Sequence, residues 1–272
     1  MKIYIPSYNR YDHISTQDFI PHKLLKDTFI VIPKSQYKKY KKISKVNIIC
    51  HKDSLIGISK KRDWILNQCD ERYFFMIDDD LVFFLANENK KISPMKKSDF
   101  YRAIITMLSW MKKDKVPFVG FGSPAYLHKR TGEWEENYRP CMAYGIDKKV
   151  AIKNEIKFSY SIGNFMTHDD MHFAISFLKA GYENRMSNIF ITKEDRFKSK
   201  KGGILDWRKK EEIMYSLNEL IKIHAPYTYI AKGKNYFGNK TLEIKLIIKW
   251  KKLRADFKNK TKRNIKHFTK ER

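Results

Sequence analysis

The sequence predicts an α/β fold: a single domain with a mixed, mainly parallel central sheet flanked by helices, plus a basic C-terminal helical extension. Two observations carry this. Short apolar runs at Ile3 to Ile5, Phe29 to Ile32, Val46 to Ile49 and Tyr73 to Ile77 alternate with polar or helix-patterned segments, as strands joined by crossover connections do. Two polar clusters, Pro6-Ser7-Tyr8-Asn9-Arg10 and Asp78-Asp79-Asp80, directly follow the first and fourth runs. Both therefore fall on one rim, beyond the carboxyl ends of the strands, where such sheets bind ligands.

Taken in order, the first three runs are strands, and Ile58 to Leu66 is a helix with Ile58, Ile65 and Leu66 on its apolar face. Tyr73 to Ile77 is a buried strand that stops at three acids. Ser98 to Lys112 is an amphipathic helix carrying Phe100, Ile104, Ile105, Leu108 and Met111 on one face. Val116 to Gly122 and Cys141 to Ile146 are further strands, and Tyr126 to Pro140 between them is a hairpin or loop. His168 to Ala180 is a helix stopped by Gly181. From Lys240 to Arg272 there are 13 Lys/Arg against 3 Asp/Glu, a net +10, with Leu242, Leu246, Trp250, Leu253 and Phe257 at helical spacing. This reads as a basic helix with an apolar stripe, docked on the core, meeting phosphates, or both.

Composition narrows the class. The 272 residues hold 56 Lys+Arg against 30 Asp+Glu, a formal charge of +26, with 42% apolar and 14% aromatic residues. That is enough apolar material for a core, so the chain is not a disordered basic tail, and its charge suits polyanionic partners: nucleic acid, acidic membrane surfaces or nucleotide phosphates. Cys50, Cys69 and Cys141 are odd in number and far apart, which fits neither a disulfide framework nor a zinc ribbon. With no signal-type apolar region after Met1-Lys2 and no apolar run of membrane-spanning length, a soluble protein in a reducing cytoplasm is expected.

The acid triplet is the most informative stretch. Three adjacent carboxylates repel one another, and hard divalent ions take oxygen ligands, so a cation or cationic groups are expected there. The alternative is a solvated acidic loop. In an extended strand end, residues two apart project together, so Asp78 and Asp80 are expected on one site while Asp79 faces the body of the domain. Lys61 and Arg62, near the start of a helix, suit a pyrophosphate or form a solvated cationic face. Tyr8, Asn9 and Arg10 follow a strand ending in Pro6 and frame a nucleobase or close a satisfied turn. Asp169 and Asp170 precede an apolar helix and serve as a general base, an N-cap, or one of each. His168 and His172 stand four apart without a HExxH pattern, so core or surface roles are expected. Phe197 to Gly203 is a basic loop that suits phosphates or is simply solvated, and Tyr126, Trp134, Tyr138 and Tyr144 are loop aromatics that stack an extruded base or serve packing.

The set of Pro6-Ser7-Tyr8-Asn9-Arg10, Gly57-Ile58-Ser59-Lys60-Lys61-Arg62-Asp63 and Asp78-Asp79-Asp80 resembles the nucleotide-sugar half of GT-A glycosyltransferases. Thr167-His168-Asp169-Asp170, leading into a helix that ends Lys179-Ala180-Gly181-Tyr182, looks like the acceptor-side motif of the inverting members. With Lys201-Gly202-Gly203 and the basic surface, the chain is similar to the TET/JBP-associated glycosyltransferases and their phage relatives over roughly residues 1 to 210. Where that family most often has Arg-Asn, this chain has Arg62-Asp63, so no nucleotide contact is carried over to Asp63.

The resemblance implies a GT-A-like, Rossmann-related catalytic domain over 1–215, with a nucleotide-sugar half at 1–85 and an acceptor half at 86–215, followed by the extension at 216–272. It implies a UDP-sugar donor held by Pro6, Tyr8, Arg10, Lys61, Arg62, Asp78 and Asp79, and a divalent metal, Mn²⁺ or Mg²⁺, on Asp80 and Asp78 with His224 as a third ligand. Asp170 is the implied base, with Asp169 next in line. Inversion and transfer to the hydroxymethyl group of a 5-hydroxymethylpyrimidine in phage DNA are implied likewise. Two rivals stand beside this reading: a transferase building capsule or lipopolysaccharide at the inner membrane face, and a non-catalytic DNA-binding protein on a degenerate scaffold. A metal-dependent nuclease is disfavoured, because no separate set of nuclease-like acids is present.

Overall fold

The four apolar runs form strands β1 (Lys2–Pro6), β2 (Thr28–Pro33), β3 (Asn47–His51) and β4 (Tyr73–Ile77), paired in parallel in the order β3-β2-β1-β4. β1, β2 and β4 are buried along almost their whole length, which explains why they read as unbroken apolar runs; β3 is the edge and is only half buried. The structure is a computed structural model and describes residues 1–129, 131–161, 168–195, 210–237 and 240–257. The connections carry two single-turn helices, α1 (His22–Leu25) and α2 (Tyr37–Tyr40), and the longer α3 (Ile58–Gln68).

Past the acid triplet come β5 (Leu81–Ala86), β6 (Ile92–Pro94), α4 (Lys97–Lys112), β7 (Phe118–Gly122), β8 (Trp134–Glu136), β9 (Ala143–Asp147), α5 (Lys148–Lys153), α6 (Asp169–Lys179) and β10 (Asn184–Glu194). The full sheet order is β3-β2-β1-β4-β9-β7-β10-β5-β6, with β8 on β10. β9 runs antiparallel to both β4 and β7, β10 runs parallel to β7, and β5, β6 and β8 are antiparallel to their neighbours. The sheet is mixed, with parallel pairing concentrated in its first four strands.

Alternation along β4 divides the core. Phe75 and Ile77 pack with Phe83, Phe100, Ile104 and Phe121 beneath α4, whereas Phe74 and Met76 pack with Ile65, Leu66, Phe118, Phe173 and Phe177 beneath α3 and α6. Gly122 ends β7 where β10 bulges between Met186 and Ile191. A Cβ at Gly122 would sit 2.1 Å from the Ser187 carbonyl oxygen, so only glycine permits this approach.

The C-terminal segment departs from the helix expected over 240–257. α7 (Lys210–His224) crosses the expected domain boundary at 215/216 and is followed by an antiparallel hairpin of β11 (Thr228–Phe237) and β12 (Lys240–Ile248). Of the described residues after the hairpin, 250–257 are helical. The reason lies in the sequence Leu242-Glu243-Ile244-Lys245-Leu246, which also alternates with period two and carries a β-branched residue. Ile244, Leu246 and Ile248 pack with Ile230 against Ile213, Leu217 and Leu220 of α7. Leu253 closes on Ile175 and Leu178 of α6, so the apolar stripe of the terminal turns is a packing surface. Among the described residues no helix is long and apolar enough to cross a membrane.

Candidate active site

Asp78, Asp79 and Asp80 occupy the tight turn between β4 and β5. Its backbone is held from three directions. Asp78 N–H donates to Met142 O at 2.8 Å, Asp195 N–H donates to Asp80 O at 2.6 Å, and Thr16 N–H donates to Asp79 O at 3.3 Å. The Thr16 hydroxyl donates to Asp78 O at 2.5 Å and accepts from Leu81 N–H at 3.1 Å, closing the turn. Thr16 is fully buried, so Thr16→Val leaves both groups without their partner and is expected to destabilise the fold by about 1–3 kcal/mol. Urea unfolding of the variant checks this.

Because the triplet turns, strand alternation does not extend through it, and the expected division of Asp78 and Asp80 from Asp79 is corrected. Asp79 and Asp80 share Arg10: its Nη1 lies 3.2 Å from Asp79 and also pairs with Asp80. Asp78 pairs instead with Arg62 Nη2 at 2.6 Å. Asp79 does bind the body of the domain, accepting from the Ser7 hydroxyl, which meets the Tyr40 hydroxyl at 2.7 Å. Tyr40 accepts in turn from Arg10 N–H at 2.9 Å, which ties the loop after β1 to the acid turn.

Arg62 reaches across the site. Its Nη1 donates to Asp169 at 2.7 Å, so one buried guanidinium joins the acid turn to the start of α6. Asp170, the next residue, pairs with Arg139 Nε at 3.1 Å. Nothing local in the sequence marks Arg139, which is 31 positions upstream of Asp170 in a loop, and the fold brings it there. The carboxyls differ accordingly. Burial raises Asp78 to about 6 against the pull of Arg62, with Asp80 adding to the rise. Burial likewise raises Asp79 and Asp169. At Asp170 burial is outweighed by Arg139 and Arg62, which hold it below the ordinary carboxylate value.

The remaining predicted residues divide. Pro6 ends β1 and Tyr8 lies in the following loop, its ring 5.8 Å from Lys61 Nζ. Lys61 is buried, donates to Ser7 O at 2.6 Å, and is lowered to about 7 by burial. Neither Lys61 nor Arg62 is a solvated cation, since both are committed to the framework of the site. Asn9 exchanges hydrogen bonds with Gln36, its N–H donating at 3.0 Å and its Oδ1 accepting at 2.7 Å. Asp63 accepts from Phe158 N–H at 2.6 Å and Ser159 N–H at 2.9 Å, which accounts for an acid at that position. His224 bonds His172 at 2.8 Å and no acid of the triplet; burial lowers His172 to about 4 and His224 to about 2, so both are neutral.

Tyr144 is corrected from a loop aromatic to a fully buried residue of β9, stacked on Phe158 and edge-on to Phe118. Trp134 lies in β8 with Arg185 4.6 Å above its ring, and Tyr138 packs on Trp250. The Tyr126 side chain and the basic loop of 197–203 lie outside the described residues. The three cysteines are free thiols.

Among the described residues no three His, Cys, Asp or Glu side chains form a ready metal cage. The donor chemistry of the turn nevertheless suits a hard divalent cation. Among the described residues, Asp78, Asp79, Asp80, Asp169 and Asp170 pair with three guanidiniums, those of Arg10, Arg62 and Arg139. Burial is the main cause of the raised Asp78 carboxyl and Asp80 adds to it, and a divalent ion bound there would offset both by favouring the ionised form.

The model of the family described as TET-Associated Glycosyltransferase matches residues 1–203. No curated protein sequence matches the chain. Among solved structures, S. aureus TarS 1-349 superposes with a TM-score of 0.46 at 12% identity, covering 82% of this chain and 80% of that one. GalNAc-T7, solved with UDP, GalNAc and Mn²⁺, superposes with a TM-score of 0.52 at 10% identity, covering 82% of this chain and 47% of that one. At 10% identity the likeness to GalNAc-T7 is one of fold alone, and it is the GT-A fold.

Proposed function

The chain belongs to the TET-associated glycosyltransferase family, and from that premise we propose that it moves a sugar from a UDP-sugar to the hydroxymethyl group of a 5-hydroxymethylpyrimidine in DNA, inverting the sugar carbon. The observation that carries this reading is Arg62, whose guanidinium joins Asp78 of the acid turn to Asp169 at the acceptor-side helix. One residue thereby holds the donor-side and acceptor-side acids in fixed relation, as a direct displacement between two bound substrates requires. The presence of UDP, GalNAc and Mn²⁺ in the GalNAc-T7 structure supports a UDP-sugar and a divalent ion. The charge of +26 supports a polyanionic acceptor. The setting proposed is phage DNA in the cytoplasm of an infected bacterium.

The chemistry asks four things of these residues. The loop of Pro6, Tyr8 and Arg10 takes the nucleotide against the acid turn. Asp78 and Asp80 would hold the divalent ion, which supplies electrostatic stabilisation to the departing diphosphate. Asp170 takes the proton of the acceptor hydroxyl as its oxygen bonds to the sugar carbon and the bond from that carbon to the diphosphate breaks. Held ionised by Arg139 and Arg62, Asp170 is ready as a base throughout the neutral range. Asp169 stays on Arg62 and fixes the start of α6.

Asp170→Asn tests the assignment, because it keeps the shape and loses the basicity. Transfer to DNA containing 5-hydroxymethylcytosine is expected to slow by about 10²- to 10⁴-fold with UDP binding retained. Wild-type transfer rates in the variant would move the base to another residue.

A further inference from the structure

We infer that the exposed lysines of segment 34–45 seat the phosphodiester backbone of DNA beside the active site. This rests on the reading of the acceptor as DNA, and it assigns the contact to a surface far in sequence from the basic C-terminal tail.

Between positions 34 and 45 the chain has six lysines and no acid. Lys34, Lys38, Lys39, Lys41, Lys42 and Lys45 are all exposed. Only Lys45 makes an ion pair among the described residues, with Asp18 at 2.5 Å. Like charges crowded on one helical turn repel, and among the described residues only Asp18 and Asp53, at the ends of the segment, act against that repulsion. A polyanion offsets the rest.

The patch is tied to the chemistry by Tyr40. This residue of α2 turns inward, is fully buried, and bonds Ser7 and the backbone of Arg10, the arginine that pairs with Asp79 and Asp80. With Tyr40 inward, the neighbouring lysines at 38, 39, 41 and 42 stand outward on the same short turn. Arg10 and Arg62 at the acid turn are already paired with its three carboxylates, so they are not free to hold a second polyanion beside the nucleotide. A DNA acceptor therefore has to rest its backbone on cations outside the turn while the modified base enters. Aromatic rings are interleaved with the lysines, as nucleic-acid surfaces favour: Lys39 lies 4.4 Å from the Tyr11 ring, and Lys41 lies 5.9 Å from that of Tyr37, which is 40% exposed.

The test compares two triple variants of the full chain, Lys38→Gln/Lys39→Gln/Lys42→Gln in the patch and Lys97→Gln/Lys113→Gln/Lys153→Gln at exposed positions elsewhere. Binding of a fluorescent, unmodified duplex is measured as a function of salt, so the result does not depend on sugar transfer. The patch variant is expected to lower the slope of log K against log [salt] by about 2–3, close to 0.9 per lost phosphate contact. The control variant is expected to leave the slope within about one contact of wild type. Both should unfold at the wild-type temperature. Equal losses in the two variants would reduce the patch to general charge and overturn the proposal. So would a wild-type chain that binds vesicles containing anionic lipid but not the duplex. Failure of sugar transfer with the patch effect intact would instead contradict the proposed acceptor chemistry.

Discussion

Replacing Asp80 or Asp78 with alanine is expected to cut sugar transfer by at least about 10²- to 10³-fold in kcat, because each removes an oxygen donor from the group that stabilises the departing diphosphate. The variants differ in their second effect. Asp80→Ala leaves Arg10 with Asp79, whereas Asp78→Ala leaves Arg62 with Asp169, so neither strands a buried guanidinium. Full activity in both variants would place the metal, or its work, elsewhere. A pH dependence accompanies this. Asp78 is raised to about 6, so between about pH 4 and pH 6 the folded chain keeps a proton that the unfolded chain has released. Its contribution to stability is therefore present at low pH and lost as pH rises through that window. A divalent ion binds the ionised carboxylate, so Mn²⁺ is expected to raise the unfolding temperature more at about pH 7.5 than at about pH 5. A shift that is independent of pH would contradict ligation by Asp78.

Arg62→Met is expected to destabilise the fold by about 3–5 kcal/mol, the largest stability effect of any single change in the site. Arg62 is buried and bridges two acids, so its loss leaves Asp78 and Asp169 without a counter-charge in a site that already raises both. Asp78 keeps 25% of its side-chain surface in water, which places the expectation toward the lower end of that range. Arg62→Lys should recover only part of the loss, since one ammonium cannot serve two carboxylates with the span of a guanidinium. Equilibrium urea unfolding of the two variants separates the outcomes. A change under about 1 kcal/mol for Arg62→Met would mean that the bridge contributes no more than a surface ion pair.

The first four strands and the helices near α4 and α6 were legible because each is a local pattern: an apolar run, a 3.6-residue stripe, a glycine stop. Asp78, Asp169 and Arg62 were legible as polar residues at strand ends and helix starts. What joins them was not, because the Arg62 bridge spans 107 positions on one side and 16 on the other. Arg139, Thr16 and Tyr40 were missed for the same reason: a loop arginine, a threonine and a tyrosine carry no local mark of the turn or acid they hold. Segment 240–248 was misread because its apolar residues satisfy both helical and strand periods, and the hairpin partner that decides between them lies in β11. The role of Asp63 became clear only with the backbone of 158 and 159 beside it.

The most direct test is a mass spectrum of nucleosides digested from 5-hydroxymethylcytosine or 5-hydroxymethyluracil DNA after incubation with the protein, Mn²⁺ and a panel of UDP-sugars. A gain equal to one sugar residue on the hydroxymethylated nucleoside, absent from unmodified DNA, is the expected result. Consumption of a UDP-sugar with no gain on either nucleoside would contradict DNA as the acceptor.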